Sequence, residues 1–437
     1  MYIQKLVVQN IRGIGEGERG IDLDLRRPDD SYAGWTVLAG RNGSGKTTLL
    51  QAIALTIAGP RATRNFVKDN TWRRTDATKC HVQLTLVPTT GDDKPPKGAP
   101  RKHPFDVGLE FVATESLYPE KWTGMEEGKS GPWQENPTGW FFAGYGPFRR
   151  LSGHSPEAAS LQSGGSSSEL VTLFREDASL SEGVAALRKI NYQRLEKKKG
   201  AEELEQGSLA LLNDGLLPGD VKVEGIDSEV LWVRSKEGVR LKLDAISDGY
   251  RVTVALVLDI LRQMGRFFPD FHIEYKDGRP FVPYSGVILL DEAELHLHVS
   301  WQQRIGFWLK EHFPKIQFLV TTHSPFICQA ADPGGLIRLR PAPEEPAAEQ
   351  LSEEEYNRVV NDGADSAVIT SLFGLETPYS AVADERRDRI SQLEAKQLQG
   401  IALGEHEATE LLQLQRQIPN TASAAVEAVL RRLEMVR

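Results

Sequence analysis

The chain has 437 residues, of which 40% are hydrophobic and 26% charged, with a formal net charge of −9 and two cysteines. These values fit a globular protein of two or three domains or one elaborated α/β unit. They exclude a disulfide framework and nonspecific coating of nucleic acid by the whole surface. No run of 18 apolar residues and no secretion-signal pattern occurs, so we expect a cytoplasmic protein that does not enter a membrane.

The first predicted elements lead into a glycine-rich loop. Three apolar runs predict strands at residues 2–8, 21–25 and 35–39. The loop, residues 40–47, has the sequence GRNGSGKT and is followed by apolar residues at helical spacing until Gly59 and Pro60 stop the helix. The glycines therefore fall on a strand-to-helix turn, the context in which a Gly-x-x-x-x-Gly-Lys-Thr motif binds a nucleoside triphosphate.

This motif predicts a site for ATP and Mg²⁺. Glycines in the loop allow the backbone N–H groups to converge on phosphate oxygens at the positive end of the following helix. Lys46 would add a point charge for the terminal phosphates, and the Thr47 hydroxyl would hold Mg²⁺. The predicted nucleotide contacts of the loop are Gly40, Asn42, Gly43, Ser44, Gly45, Lys46, Thr47 and Thr48.

The middle of the chain combines short strands with a helical part. Strand patterns occur at residues 81–87, 105–112, 140–145, 221–223, 230–233 and 239–243. The first two alternate apolar and polar residues, as half-buried antiparallel strands do. A Ser/Gly-rich loop at 152–168 precedes a helical pattern at 170–212 that is too short for a long coiled-coil arm, and a largely buried helix is predicted at 250–264.

The last third of the chain has the alternation of a parallel α/β sheet. Strand patterns occur at residues 285–290, 317–322 and 336–339, with a helix around 301–313. Residues 341–348 are rich in Pro, Glu and Ala and are predicted to be a linker. From residue 384 onwards the pattern is helical and heavily charged, with breaks near 400–404 and at Pro419, which predicts a helical hairpin and a last helix.

Acidic side chains and a histidine follow two of these strands. The run VILLD ends at Asp291, which we expect to act on Mg²⁺ because ligands of α/β sheets lie at the carboxyl ends of parallel strands. Glu292 could then accept a proton from the attacking water. His323 follows the run FLVTT and could contact the γ-phosphate and the water. We therefore predict Glu292 and His323 as catalytic residues, and Thr47 and Asp291 as metal ligands.

Two other patterns have alternative interpretations. His296 and His298 lie two residues apart, but no further Cys or His completes a ligand set, so we do not expect zinc there. Residues 61–102 contain ten basic and four acidic residues, a surplus of six. This segment is either a solvated loop face or a contact surface for the phosphate backbone of DNA.

A further signal precedes the buried helix at residues 246–251, which read ISDGYR. Ser247 or Asp248 is expected to cap the helix, whose N-terminus can bind an anion. In chain order, the phosphate loop, this element, the LLDE strand and the TTHSP strand form the set that distinguishes ABC-type ATPases. In those proteins the Ser-Asp-Gly element of one protomer closes on the γ-phosphate held by another.

The motifs resemble those of the SMC/RecF-like branch of ABC ATPases, also known as AAA-family or OLD-like ATPases. The resemblance covers roughly residues 1–380. It is carried by NIRG, GRNGSGKTT, GYGPFRR, ISDGYR, VILLDEAELHLHVSWQ and FLVTTHSPF. The motifs ISDGYR and ELHLHVSWQ, together with a short helical lobe in place of a long arm, are most similar to those of the ATPases of Septu-type antiphage systems.

The resemblance implies further site residues. Ser247 and Gly249 would be signature residues acting in trans, residues 296–298 would belong to a loop at a dimer contact, and Arg12 would lie near the nucleotide. The sequence departs from the family at the usual Gln after the strand leading out of the first lobe, where it reads GYGPFRR. Arg149 or Arg150 could replace this Gln, which leaves Mg²⁺ coordination by a Gln open.

We therefore expect an α/β fold, an ABC-type ATPase head. It has a mostly parallel sheet flanked by helices, an antiparallel β subdomain, a short helical lobe and a helical C-terminal tail. The expected parts are a first nucleotide-binding part (1–150), a helical and signature lobe (151–280), a second nucleotide-binding part (281–380) and a helical tail (381–437).

The expected function is an ATP-gated switch that works as a homodimer or higher homo-oligomer. A separate nuclease-type effector in antiphage defence is the expected partner, because no metal-nuclease cluster follows residue 373. The alternative is a DNA-repair or chromosome clamp that binds DNA directly, and a transporter subunit fits least.

Overall fold

The computed structural model describes residues 1–69, 71–96, 101–113, 116–149, 151, 155–162, 167–217, 219, 221–227 and 230–418. Residue contacts divide the chain into two compact units, the first comprising residues 1–367 and 371–373, and the second residues 368–370 and 374–437. The strands are β1 (Tyr2–Gln9), β2 (Ile21–Asp24), β3 (Gly34–Ala39), β4 (Lys79–Val87), β5 (Phe105–Val112), β6 (Lys121–Thr123), β7 (Phe142–Tyr145), β8 (Lys222–Ile226), β9 (Leu231–Arg234), β10 (Arg240–Lys242), β11 (Glu274–Lys276), β12 (Arg279–Phe281), β13 (Gly286–Leu290), β14 (Ile316–Thr322), β15 (Leu336–Leu339) and β16 (Ala348–Gln350).

The α-helices lie between and after these strands. In chain order they are α1 (Lys46–Phe66), α2 (Met125–Lys129), α3 (Pro156–Gln162), α4 (Val171–Phe174), α5 (Ser181–Leu195), α6 (Ala201–Asn213), α7 (Asp248–Phe267), α8 (Val299–His312), α9 (Pro325–Cys328), α10 (Glu353–Asn361), α11 (Ala364–Val368), α12 (Ala381–Leu398) and α13 (Glu405–Gln417). Within the described ranges, none of these helices has the length and apolar character needed to cross a membrane.

The central sheet of the first unit has the strand order β16-β15-β3-β14-β13-β7. All neighbouring strands from β15 to β7 are parallel, and β16 is antiparallel to β15. Every residue of β13 and β14 is buried, as expected for strands covered on both faces. The carboxyl ends of β3, β13 and β14 therefore meet at one edge, directly before the phosphate loop, Asp291 and His323.

A second sheet, with the order β2-β1-β4-β5-β6, is antiparallel throughout. The predicted pairing of residues 81–87 with 105–112 is present as β4 and β5. The buried Gln317 joins the two sheets, because its side chain accepts from the Ile3 N–H (2.7 Å) and donates to the Ile3 carbonyl (2.8 Å). Helix α1 contacts strands of both sheets.

The short helical lobe consists of α5 and α6, which pack on each other and on α7. Strands β8, β9 and β10 form a small antiparallel sheet beside them. Helix α7 is buried along most of its length. In the second unit, α12 and α13 form a hairpin around Ile390, Leu393 and Leu411. The predicted fold class, with its parallel sheet, antiparallel subdomain, helical lobe and helical tail, is confirmed.

Some local predictions need correction. Helix α1 breaks at Gly59, whose φ of 75° and ψ of −171° are not helical, but a second helical segment continues to Phe66. The stop at Gly59 and Pro60 was therefore placed correctly and the continuation was missed. The predicted linker at 341–348 ends in β16, which pairs with β15, and α10 was not foreseen. Parts of the 152–168 loop, Arg150, and the last helix beyond Pro419 lie outside the described residues.

Candidate nucleotide-binding site

The phosphate loop connects β3 to α1 in a conformation that requires glycine. Gly43 and Gly45 have φ angles of 79° and 86°, in the left-handed region that residues with a Cβ rarely adopt. A Cβ on Gly40 would clash with the carbonyl oxygen of Leu339. Asn42 and Gly43 are exposed and Thr48 is half-buried. The loop is therefore shaped by its backbone, as a phosphate cradle must be.

Lys46 and Ser44 present polar groups inside this loop. The Lys46 ammonium, on a side chain only 7% exposed, donates to the carbonyls of Gly40 (2.8 Å) and Arg41 (3.1 Å). Burial lowers the pKa of Lys46, while the nearby carboxylates act in the opposite direction. The buried Ser44 Oγ has no hydrogen-bond partner. An oxygen-rich anion in the loop would satisfy this hydroxyl and offset the charge of the buried ammonium.

Thr47 and Asp291 meet although 244 positions separate them in the chain. The Thr47 hydroxyl donates to Asp291 Oδ2 at 2.7 Å, and the Thr321 hydroxyl donates to Asp291 Oδ1 at 2.5 Å. Asp291 is fully buried. A hydroxyl beside a carboxylate is a suitable oxygen pair for Mg²⁺. Among the described residues, no group of three or more His, Cys, Asp or Glu is arranged to hold a metal ion.

Glu292 follows Asp291 in an unusual backbone conformation. Its φ is 46°, and its N–H donates to the Thr321 hydroxyl at 2.8 Å. The side chain is half-buried at the edge where β13 ends. Strained backbone of this kind persists where surrounding contacts hold it and is common at active sites. Thr321 therefore links the predicted metal ligand to the predicted proton acceptor, a role that the sequence did not assign to it.

Glu294 connects this turn to the end of β14. Its carboxylate accepts from the Thr322 hydroxyl (2.6 Å) and from the N–H of His323 (2.5 Å). The imidazole of His323 is exposed. The predicted sensor residue is thus held through its backbone by a carboxylate two residues after Glu292. The sequence shows two glutamates separated by one alanine, but it does not show that the second of them binds the end of β14.

Arg149 lies behind the same turn and is 2% exposed. Its guanidinium donates to the carbonyls of Gly146 (3.0 Å), Asp291 (2.7 Å) and Glu292 (2.8 Å), with Ala293 at 3.5 Å. Burial lowers the pKa of Arg149 to about 10, so the side chain stays charged at neutral pH. Of the two predicted substitutes for the missing Gln, Arg149 binds backbone behind Asp291, and Arg150 lies outside the described residues.

The signature element lies against a different loop. Ser247 occupies the N-cap position of α7 without a side-chain hydrogen bond to the helix. A Cβ on Gly249 would come within 2.5 Å of the carbonyl oxygen of His296, whose φ is 66°. His298 caps α8, because its Nδ1 accepts from the N–H of Ser300 at 3.3 Å. Gly249 and His296 are therefore neighbours within one chain, and the His296 loop is joined to the turn after Asp291, since the Leu295 N–H donates to the Glu292 carbonyl at 3.1 Å.

Arg12 contacts the helix that carries the phosphate loop. Its guanidinium donates to Gln51 on α1 (3.1 Å) and lies 4.3 Å from the ring centre of Trp72. Burial lowers its pKa. These contacts fix Arg12 beside α1, and its predicted approach to the nucleotide stays a prediction.

Comparisons with known proteins find similarity to AAA domains and to a Septu protein. A model described as "AAA domain, putative AbiEii toxin, Type IV TA system" matches residues 165–329, and a second AAA domain model matches residues 5–95. The Septu protein PtuA of Bacillus mycoides (strain KBAB4) is 27% identical over 324 residues, which are 74% of this chain and 38% of that protein. The chain is thus similar to AAA domains over two separate parts and to a Septu protein over most of its length. The resemblance drawn from the motifs is confirmed.

Other relatives match shorter parts of this chain. A retron Ec83 probable ATPase of Escherichia coli is 40% identical over 116 residues, 26% of this chain and 20% of that protein. The chain therefore covers well under half of the length of these relatives. An SMC head domain from Thermotoga maritima has a TM-score of 0.41 and 18% identity, covering 80% of this chain and 100% of that one. The fold class is assigned from the strand order of the two main sheets.

Proposed function

We propose that this protein binds ATP and Mg²⁺ at the loop of residues 40–48 and hydrolyses ATP with Glu292 and His323. The observation that carries the proposal is the 2.7 Å contact between Thr47 and the fully buried Asp291, which joins the two motifs of the site at one sheet edge. When bound, Mg²⁺ would neutralise charge on the phosphate oxygens. Glu292 would take a proton from the attacking water, and His323 would contact the γ-phosphate.

The site of one chain is proposed to be completed by a second chain. Ser247 begins α7 without a side-chain hydrogen bond to that helix, and Gly249 lies against the His296 loop, which supports a role for both in contacting the nucleotide of a partner. ATP would then lie between two protomers and hold them together until hydrolysis. The four parts given above, 1–150, 151–280, 281–380 and 381–437, would supply the two halves of the site, the signature lobe and a tail for further contacts.

Antiphage defence is the proposed setting. The similarity to a Septu protein and to a retron probable ATPase supports it. In this setting the ATPase would control a separate effector of nuclease type in response to infection. An adjacent effector gene would support this assignment, whereas neighbouring repair genes would favour the clamp.

The clamp that binds DNA directly receives less support. Several basic residues of the 61–102 segment already have acidic partners, since Arg61 pairs with Glu135 and Arg74 pairs with Asp76. Exposed pairs of this kind are weak, but they reduce the positive charge offered to a phosphate backbone. Direct binding of DNA, with an affinity that falls steeply as the salt concentration rises, would favour the clamp.

Mixed variants test the composite site. Lys46→Ala and Ser247→Arg chains should each be inactive alone. Mixed in equal amounts, they should recover about a quarter of the wild-type rate, because about half the dimers are mixed and each mixed dimer has one intact site of two. Lys46→Ala mixed with Glu292→Gln is the matched control and should recover nothing, since both changes damage the same half of the site. A first mixture as inactive as its parents contradicts action in trans.

A further inference from the structure

The guanidinium of Arg149 is surrounded by backbone carbonyls. Its two terminal nitrogens reach the oxygens of Gly146, Asp291 and Glu292 at 3.0 Å or less, and that of Ala293 at 3.5 Å. Asp291 is also tied to the strand before Arg149, since its N–H donates to the Tyr145 carbonyl at 2.8 Å. Arg149 thus binds three consecutive carbonyls directly after β13.

Burying this charge is unfavourable for the fold itself. Arg149 is 2% exposed and its Nε has no hydrogen-bond partner. A charged group in such a place is destabilising unless hydrogen bonds and nearby opposite charges compensate. The carboxylates of Asp291, Glu294 and Glu292 favour the charge but do not outweigh burial, which lowers the pKa of Arg149. An apolar side chain would fill the space without this cost, but it could not bind the carbonyls.

Those contacts fix the backbone on both sides of Glu292. Its N–H donates to the Thr321 hydroxyl at 2.8 Å, and its carbonyl accepts from Arg149 at 2.8 Å and from the Leu295 N–H at 3.1 Å. Between them the residue has a φ of 46°, which residues with a Cβ rarely adopt. Because the backbone dihedrals set the direction of the Cα–Cβ bond, these contacts, that of Arg149 among them, influence where the Glu292 carboxylate points.

We propose that Arg149 is a positioning residue for hydrolysis, holding Glu292 in the orientation that reaches the attacking water. The proposal rests on the proposed function of Glu292. It assigns no direct contact between Arg149 and the nucleotide. Its consequence is that loss of the guanidinium should slow the chemical step while ATP binding persists, because the phosphate loop is built from other residues.

Arg149→Lys is the direct test, since lysine keeps the charge but cannot bind three carbonyls at once. The value of kcat should fall about 10- to 100-fold, while ATP affinity should change by less than about threefold. In a Glu292→Gln background the same substitution should change the residual rate by less than about twofold, because the group being positioned is already gone.

Arg27→Lys is the matched control. Arg27 is also buried, 7% exposed, and donates to the Ala33 carbonyl at 2.8 Å, at the end of β3 opposite the phosphate loop. It should leave kcat within about twofold of wild type. Thr321→Val removes another support of Glu292 and also the hydrogen bond to Asp291, so it should lower kcat at least as much as Arg149→Lys does, and Thr321→Ser should largely preserve it.

Several results would overturn the proposal. One is an unchanged kcat in Arg149→Lys. Another is a loss of ATP affinity or of folding stability in Arg149→Lys that is as large as its loss of kcat. A third is an equal loss of kcat in Arg27→Lys. If Glu292→Gln hydrolyses ATP as fast as wild type, the proposed function itself fails. If Glu292→Gln is slow and Arg149→Lys is not, only the positioning role fails.

Discussion

Removing the Glu294 carboxylate should weaken the fold and the chemistry together. In Glu294→Ala the fully buried Thr322 hydroxyl and the His323 N–H lose their acceptor. Hydrogen bonds to charged groups contribute about 1.5–3 kcal/mol each, and water can partly replace the one at the exposed His323. We therefore expect a loss of about 3 kcal/mol in the free energy of unfolding. Glu294→Gln keeps one acceptor and should lose about 1 kcal/mol.

The catalytic effect follows from the position of His323. If its imidazole acts on the γ-phosphate, a loosened backbone at His323 should lower kcat about 10- to 100-fold with ATP affinity nearly unchanged. Phosphate release measures kcat. Urea unfolding followed by tryptophan fluorescence measures the stability of the first unit, because all eight tryptophans lie there.

Glu355 provides the matched control for this experiment. Its carboxylate likewise accepts from one hydroxyl, that of Ser352, and one backbone N–H, that of Ser371, each at 3.2 Å, away from the predicted site. Glu355→Ala should lose stability but keep kcat. The reasoning is refuted if Glu294→Ala retains wild-type kcat, or if Glu355→Ala lowers kcat to the same extent.

Two further predictions concern charge. Burial raises the pKa of Glu169 from 4.5 to about 7, so its stabilising contribution is present at pH 4 and is lost as the pH rises through 7. The free energy of unfolding of Glu169→Gln, measured with urea relative to wild type, should therefore increase by up to about 3 kcal/mol from pH 4 to pH 8. A difference that does not change with pH would contradict this. Lys46→Ala should abolish ATP binding in equilibrium dialysis, because it removes the ammonium from the phosphate loop, and an unchanged affinity would exclude Lys46 from the site.

The sequence was sufficient for the parts of the site that are encoded locally. The glycine spacing of residues 40–47 between a strand and a helix predicted the turn, and apolar strands ending at Asp291 and His323 placed both residues at one sheet edge. Parallel strands make this inference possible, since their carboxyl ends share an edge. The alternation at 81–87 and 105–112 likewise predicted the antiparallel pair.

Contacts between side chains and distant backbone were not predictable. Arg149 donates to carbonyls more than 140 positions away, and Glu294 binds the end of another strand. Neither contact produces a periodic pattern in the sequence from which it could be predicted. The sequence pattern places Thr321 in an apolar strand, although its hydroxyl donates to Asp291 and accepts from the Glu292 N–H. The continuation of α1 beyond Gly59 was missed because Gly and Pro are strong local stop signals.

The ATP-dependent mass of Glu292→Gln tests the central claim most directly. With hydrolysis blocked and binding intact, ATP and Mg²⁺ should trap two chains, so light scattering after size exclusion should give twice the 48.5 kDa of one chain. The same variant without ATP, and the Lys46→Ala, Glu292→Gln double variant with ATP, should not show this increase. A Glu292→Gln chain that binds ATP and stays monomeric would contradict the account of two protomers closing on shared nucleotides.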